Sequence, residues 1–259
     1  MSRSSDGGYL ALNTLIALER RWPQRLNLLF LATDDPLNPH ARISVKKRIW
    51  RYIDEAHRLR VESACVDTAL SAGVPVYTGA VKDEQFRKKL HGVHPDAIVV
   101  CGFGQILDRA IIELPRFGVY NLHPSDLAAG HGAGPAPHDD LAARGDANTR
   151  WSIHLMTEAI DAGPVLARSP AIRVTDAMNR LPRNPLVIYD KLTAAIPWLM
   201  RALVEQLMMH RLKGGDSSLA PFDAEAIVPP EQRRGLLEPV MTGTPCEQLP
   251  TLPEGMFAG

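Results

Sequence analysis

Residues 96–102 read DAIVVCG, five apolar residues in a row between an aspartate and a glycine. A short run without polar alternation suits a strand covered on both faces, and strands of that kind belong to parallel sheets with helices above and below. Residues 26–32 (LNLLFLA) repeat the pattern and stop at a polar turn, Thr33, Asp34, Asp35 and Pro36. Residues 117–122 (FGVYNL) give a third strand, and 74–77 (VPVY) a short one after a helix stop at Gly73. Helical periodicity fills the intervals, over residues 10–21, 44–60 with Ser44 as cap, 82–91, and 137–144 before Gly145. Residues 151–156 alternate apolar and polar, and 163–173 holds the hairpin partner of that strand. Residues 184–210 read as one long helix. Strands alternating with helices predict an α/β domain, doubly wound about a mostly parallel sheet with an antiparallel end.

From residue 214 the composition changes. Pro221, Pro229, Pro230, Pro239, Pro245, Pro250 and Pro253 interrupt any long element. Residues 1–213 are therefore expected to form the catalytic domain, and 214–259 an irregular extension packed on it. The 259 residues carry 29 basic and 29 acidic side chains, so bulk charge gives no reason to expect nucleic acid or an anionic membrane as partner. Cys65, Cys101 and Cys246 show neither metal-ligand spacing nor a disulfide framework, so no metal and a cytoplasmic setting are expected. The apolar stretch near the N-terminus is broken by Asn13 and reads as a helix, and no stretch is long and apolar enough to span a bilayer.

In open α/β sheets ligands sit outside the carboxyl ends of the strands. Residues 101–107 (CGFGQIL) follow one strand, Asn121 and His123 end the next, and 157–164 (TEAIDAGP) follow a third. Strand period is two, so Asn121 and His123 share a face. An asparagine amide can donate to a developing oxyanion, and a histidine beside an aspartate can carry a proton near neutral pH. Ser125 has no evident base of its own, which favours direct attack by a substrate amine over a covalent acyl-enzyme. The Gly/Ala loop after His123 lets backbone approach a ligand closely. The same Asn-x-His also serves as a plain cap or a core hydrogen-bonding pair, and spacing alone leaves an α/β enzyme of open reaction.

The order PDAIVVCGFGQIL, GVYNLHPSDL, HGAGP and ARGDANTRWSIHLMTEAIDAGPVLA over roughly residues 95–175 resembles the folate-dependent formyltransferases, which have a Rossmann-like fold. The resemblance implies Asn121, His123 and Asp161 as the catalytic triplet, with Ser125 and His154 in support. It implies that Phe103, Gly104, Gln105, Ile106 and Leu107, with Thr157, Glu158 and Ile160, hold the pterin of 10-formyltetrahydrofolate, the cosubstrate. Asp161 is expected to keep His123 protonated. Members usually open with an apolar strand and a glycine turn, whereas here MSRSSD precedes Gly7 and Gly8; the loop after His123 also departs, reading Asp126, Leu127, Ala128. Methionyl-tRNA formyltransferases carry a C-terminal barrel that residues 214–259 do not resemble, and the glycine-serine-asparagine phosphate loop of the glycinamide ribonucleotide enzymes is not at Gly7. The acceptor is accordingly expected to be a nucleotide-linked amino sugar, with Asp34, Asp35, Lys46 and Lys47 facing its phosphates; a solvated helix face is the plain alternative for the two lysines. A methionyl-tRNA or other small-amine transferase, a formyltetrahydrofolate hydrolase and a non-catalytic folate binder are the competing readings, and a homodimer is left open.

Overall fold

The structure is a computed structural model that describes residues 7–33, 55–183 and 185–237. Chain order begins with α1 (Gly7–Arg21), β1 (Leu31–Ala32), α2 (Glu55–Ser71), β2 (Val76–Tyr77), α3 (Glu84–Val93), β3 (Ile98–Cys101) and α4 (Arg109–Ile112). It continues with β4 (Val119–His123), α5 (Pro137–Arg144), β5 (Asn148–Thr149), β6 (Ser152–Leu155), β7 (Val165–Arg168) and β8 (Ile172–Arg173). Three helices close it, α6 (Pro185–Thr193), α7 (Ile196–Leu212) and α8 (Pro230–Leu237).

The principal sheet runs β3-β4-β6-β7, and separate two-stranded sheets pair β1 with β2 and β5 with β8. β3 and β4 are parallel, whereas β6 and β7 run antiparallel to their neighbours. Alternation along β3 and β4 divides the core. Val99, Cys101, Tyr120 and Leu122 face a cluster with α1, α6 and α7, centred on Ile196, Leu199 and Met200. Ile98, Val100 and Val119 face the other way, onto Phe86 and Leu90 of α3 and Ile111 of α4. Helices thus cover both faces, the doubly wound α/β arrangement. Asp108 caps α4 by accepting from the Ile111 N–H at 3.3 Å, and its carboxylate takes Arg87 of α3 at 2.6 Å.

Two expectations change. The single helix over 184–210 is two helices, because Pro197 stands in the first turn of α7. A continuous helix would need the residue 197 amide to donate to the carbonyl of residue 193, and proline has no hydrogen to give. Among the described residues, the strand expected over 26–32 is a strand at Leu31 and Ala32, paired with the two residues of β2. The expected helix 44–60 lies outside the described residues up to 54.

Past Lys213 the chain returns over the core. Leu219, Ala224, Val228 and Leu236 are buried in the main cluster, and the Phe222 N–H donates to the Leu166 carbonyl at 2.8 Å. The Tyr120 hydroxyl donates to the Phe117 carbonyl and accepts from the Leu219 N–H at 3.1 Å. Much of this stretch is irregular, but residues 230–237 form α8, beside β8. Residues 238–259 lie outside the described part.

Candidate active site

β4 places Asn121 and His123 on one face, and the antiparallel register sets His154 of β6 directly opposite Asn121. Cross-strand partners on one face lie within side-chain reach. The Asn121 Nδ2 is 3.1 Å from His154 Nε2 and donates to Asp161 Oδ1 at 3.3 Å. The second carboxylate oxygen of Asp161 accepts from the Gly134 N–H at 2.8 Å and lies 3.5 Å from His123 Nδ1. His154 Nε2 is 3.4 Å from Oδ1. Four residues from three segments, β4, β6 and the loop after His123, therefore converge on one carboxylate.

Asp161 arrives by a route the sequence reading did not foresee. Because β6 is antiparallel, its carboxyl end meets the beginning of β4, with Leu155 opposite Tyr120. The loop after β6 has to turn back, and Asp161 does so in the left-handed region, at φ 51°. That conformation is uncommon for a side chain other than Asn, Asp or Gly. Gly163 closes the loop, where a Cβ would fall on the Leu155 carbonyl oxygen.

The loop after His123 wraps the histidine itself. His123 Nε2 donates to the Gly132 carbonyl at 2.7 Å, and the Ser125 hydroxyl donates to the same oxygen at 3.2 Å. Gly132 sits at φ +64°, and a Cβ there would meet the Ser125 Cβ at 2.7 Å. The Gly/Ala loop thus brings backbone against His123 and Asp161. The partners that the sequence reading missed are the Gly132 carbonyl and the Gly134 N–H. The alternate glycines of HGAGP were the available signal.

Burial works to raise the Asp161 pKa, but the His154 hydrogen bond, the His123 charge and the Gly134 N–H overcome it and bring it down to about 2. For His123, burial outweighs the Asp161 charge and the Gly132 bond, so its pKa falls below 6.5. This reverses the expectation that Asp161 keeps the resting imidazole protonated: the desolvation of a nearly enclosed ring is the larger effect. With Nε2 donating to Gly132, neutral His123 leaves Nδ1 bare and facing Asp161. His138 of α5, also missed, is pushed down to about 4 by burial, with His123 acting in the same direction and Asp139 against it. Its ring meets Tyr189 edge-on at 6.0 Å.

The residues expected to hold a pterin divide. Gly104 and Gln105 are buried, and Gln105 is a tie between loops, donating to the Gly79 carbonyl at 3.1 Å and accepting from the Val81 N–H at 2.9 Å. Leu107 is buried in the cluster of α3 and α4, against which Phe103 and Met156 also pack. Both candidate loops are therefore anchored on one apolar cluster. Ile106 and Ile160 are left exposed, at 37% and 59%, and Thr157 and Glu158 are exposed as well. Asp34, Asp35, Lys46 and Lys47 lie outside the described residues. Among the described residues no cluster of metal-ligating side chains occurs, and no helix is long and apolar enough to cross a membrane.

Residues 55–183 match the family model described as formyl transferase. The chain is 36% identical over 144 residues to a methionyl-tRNA formyltransferase of Phenylobacterium zucineum (strain HLK1), covering 55% of this chain and 44% of that protein. It is 40% identical over 148 residues to a methionyl-tRNA formyltransferase of Myxococcus xanthus (strain DK1622), covering 57% and 45%. The chain thus spans less than half the length of these curated relatives. Among solved structures, glycinamide ribonucleotide transformylase 1 from Symbiobacterium toebii superposes with a TM-score of 0.55 at 14% identity, over 84% of this chain and 91% of that one. The fold, the sequence match and the order of the site segments agree: through residues 55–183, this chain belongs to the formyl transferase family.

Proposed function

We propose that the protein transfers the formyl group of 10-formyltetrahydrofolate to a primary amine by direct attack. The observation that carries this reading is the convergence of Asn121, His123 and His154 on the ionised Asp161 carboxylate. The neutral amine attacks the formyl carbon, and negative charge develops on the former carbonyl oxygen. Asn121 is the donor for that oxygen, exchanging one of its contacts with Asp161 and His154 for the new charge. The proton released by the amine has a seat at bare Nδ1 of His123, where Asp161 stabilises it. Collapse breaks the bond between the formyl carbon and N10, N10 takes up a proton, and the products are tetrahydrofolate and a formamide. Exposed Ile106 and Ile160 on their two anchored loops are the residues to receive the pterin.

The acceptor in this reading is an amino sugar linked to a nucleotide, supported by the balanced charge of the chain. Methionyl-tRNA is the second reading, favoured by the names of the curated relatives. Purified protein is to be assayed with 10-formyltetrahydrofolate and, separately, nucleotide-linked amino sugars, methionyl-tRNA, glycinamide ribonucleotide and no acceptor. Formylated amino sugar is the expected product. Turnover with methionyl-tRNA alone replaces the acceptor but leaves the site chemistry standing. Release of formate without any acceptor makes the protein a hydrolase, and no turnover in any arm removes the enzymatic reading.

A further inference from the structure

The loop from His123 to Gly134 supplies the carbonyl that holds the His123 imidazole, yet little packing holds the loop. No residue from 126 to 131 is buried. An open pocket of about 260 Å³ lies beside it, lined by Asp126, Ala129, His131 and Arg150 among others. The loop turns about Asp126, whose carbonyl accepts from the Ala129 N–H at 3.0 Å and the His131 N–H at 3.2 Å. The Leu127 N–H ties it to β6 by donating to the buried Ser152 hydroxyl at 3.0 Å.

The Asp126 carboxylate meets two arginines from different parts of the sheet. Arg168 of β7 donates to Oδ1 at 3.3 Å and to Oδ2 at 3.4 Å. Arg150, between β5 and β6, brings its Nε to 3.9 Å from Oδ2. Arg150 is also fixed at its far end, where Nη1 donates to the Ser169 carbonyl and to Glu225 Oε2, the latter at 3.1 Å. Glu225 in turn has a rigid backbone. Asp223 Oδ1 accepts from the Glu225 N–H at 2.9 Å and the Ala226 N–H at 3.2 Å, and Ala224 and Val228 are buried in the main cluster. Two carboxylates and two guanidinium groups thus form a charge-balanced chain from the C-terminal segment to the loop over His123.

The Arg150 and Glu225 side chains are 26% and 43% exposed, and ion pairs so close to water add little to folding. Geometry is a separate matter. The Gly132 carbonyl at the end of the loop accepts from His123 Nε2 at 2.7 Å, and a reacting group displaced by about 1 Å can lose about a hundredfold in rate. We propose that Asp126 and Arg150 are positioning residues: through the loop they keep the Gly132 carbonyl on His123, and Glu225 makes the C-terminal segment part of that support. The effect on rate rests on the formyl transfer proposed above, whereas the effect on the His123 ring is a property of the fold.

The test uses Asp126→Ala, Arg150→Gln, the double variant, and Asp126→Glu as the conservative change. Each of the first two is expected to lower kcat by about tenfold, with the KM for 10-formyltetrahydrofolate and the urea midpoint close to wild type. Both act through one loop, so the double variant should be no slower than the slower single one. Asp126→Glu should recover part of the loss. Heteronuclear NMR of the His123 ring nitrogens gives a readout without substrate. In the wild type the neutral ring carries its proton on Nε2; in the variants the proton is expected to divide between the two nitrogens. The Gly132 bond raises the His123 pKa, so weakening it lowers that pKa and moves the acid limb of kcat to lower pH. Asp161, His154 of β6 and His138 of α5, the titratable groups that act on His123, are the same in every variant. An unchanged ring, an unchanged kcat, a fall in kcat matched by lost stability, or losses that multiply in the double variant overturns the proposal. If the wild type transfers no formyl group, the ring signals alone decide, so the two readings fail separately.

Discussion

The Asp161 carboxylate has Asn121 and His154 on one oxygen and Gly134 and His123 on the other, and this division decides what each substitution does. Asn121→Ala removes one donor for the developing oxyanion and is expected to lower kcat by about a hundredfold or more, with the pH profile unchanged. Asp161→Asn keeps the shape but puts an amide against several donors, and kcat is expected to fall nearly to background. The direction of the pH effect follows from the charges: Asp161 raises the His123 pKa, so removing its charge lets burial pull that pKa lower still, and the acid limb of the residual rate moves to lower pH. His123→Ala should be equally inactive while binding folate, since the candidate pterin loops do not depend on its ring. Folate titration alongside turnover checks all three; more than a few per cent of wild-type activity in Asp161→Asn or His123→Ala would remove the triplet from the chemistry. His138 carries a stability prediction of its own. Its pKa of about 4 in the fold lies below the ordinary 6.5, so the unfolded chain binds the extra proton first. Stability is expected to fall as pH drops from 6.5 to 4, with no further loss from this group below that window. His138→Gln should flatten this slope in urea titrations at a series of pH values. Asp161 acts lower down: its contribution is complete above its ordinary 3.8 and is lost as pH falls toward 2.

Among the elements, the pairing of β4 with β6 and the loop over it do most to assemble the site. Gly132→Ala adds a Cβ at φ +64° within 2.7 Å of the Ser125 Cβ, so the loop has to shift and carry its carbonyl away from His123. The expected result is a loss of about 1–3 kcal/mol in stability with a fall in kcat, measured by denaturation and turnover together; an unchanged kcat would show that the Gly132–His123 bond is dispensable. The strand alternation of residues 117–122 was enough to put Asn121 and His123 on one face, and that of 151–156 to make a strand of β6. Direction was harder to read. Nothing local in residues 157–163 announces that β6 runs against β4, so the loop was expected at a carboxyl edge when it in fact folds back through Asp161. The division of α6 from α7 was visible in principle at Pro197, but an apolar periodicity that continues across the break concealed it. The lowered His123 pKa was not legible, because it depends on an enclosure that only tertiary packing creates.

At the scale of the whole molecule, residues 213–237 act as a cover for the face of the sheet opposite the site. Leu219 is buried in the main cluster, and Leu219→Ala is expected to cost about 2–5 kcal/mol, read as a lower urea midpoint. A near-neutral effect would mean that the arm is only loosely laid on the core. The arm and the site meet at β4. Tyr120 stands next to Asn121 in sequence and points the other way, and its hydroxyl takes a partner 99 residues further along the chain, the Leu219 amide. This has a consequence in time. As the chain folds, β3, β4 and β6 can find one another through contacts of moderate separation, whereas the buried phenol of β4 gains its second partner only when the region around residue 219 arrives. The strand that carries Asn121 and His123 can therefore be formed before it is sealed from behind. In pulse-labelled refolding, the Leu219 amide should gain protection last, and folate binding should appear with it rather than with the sheet.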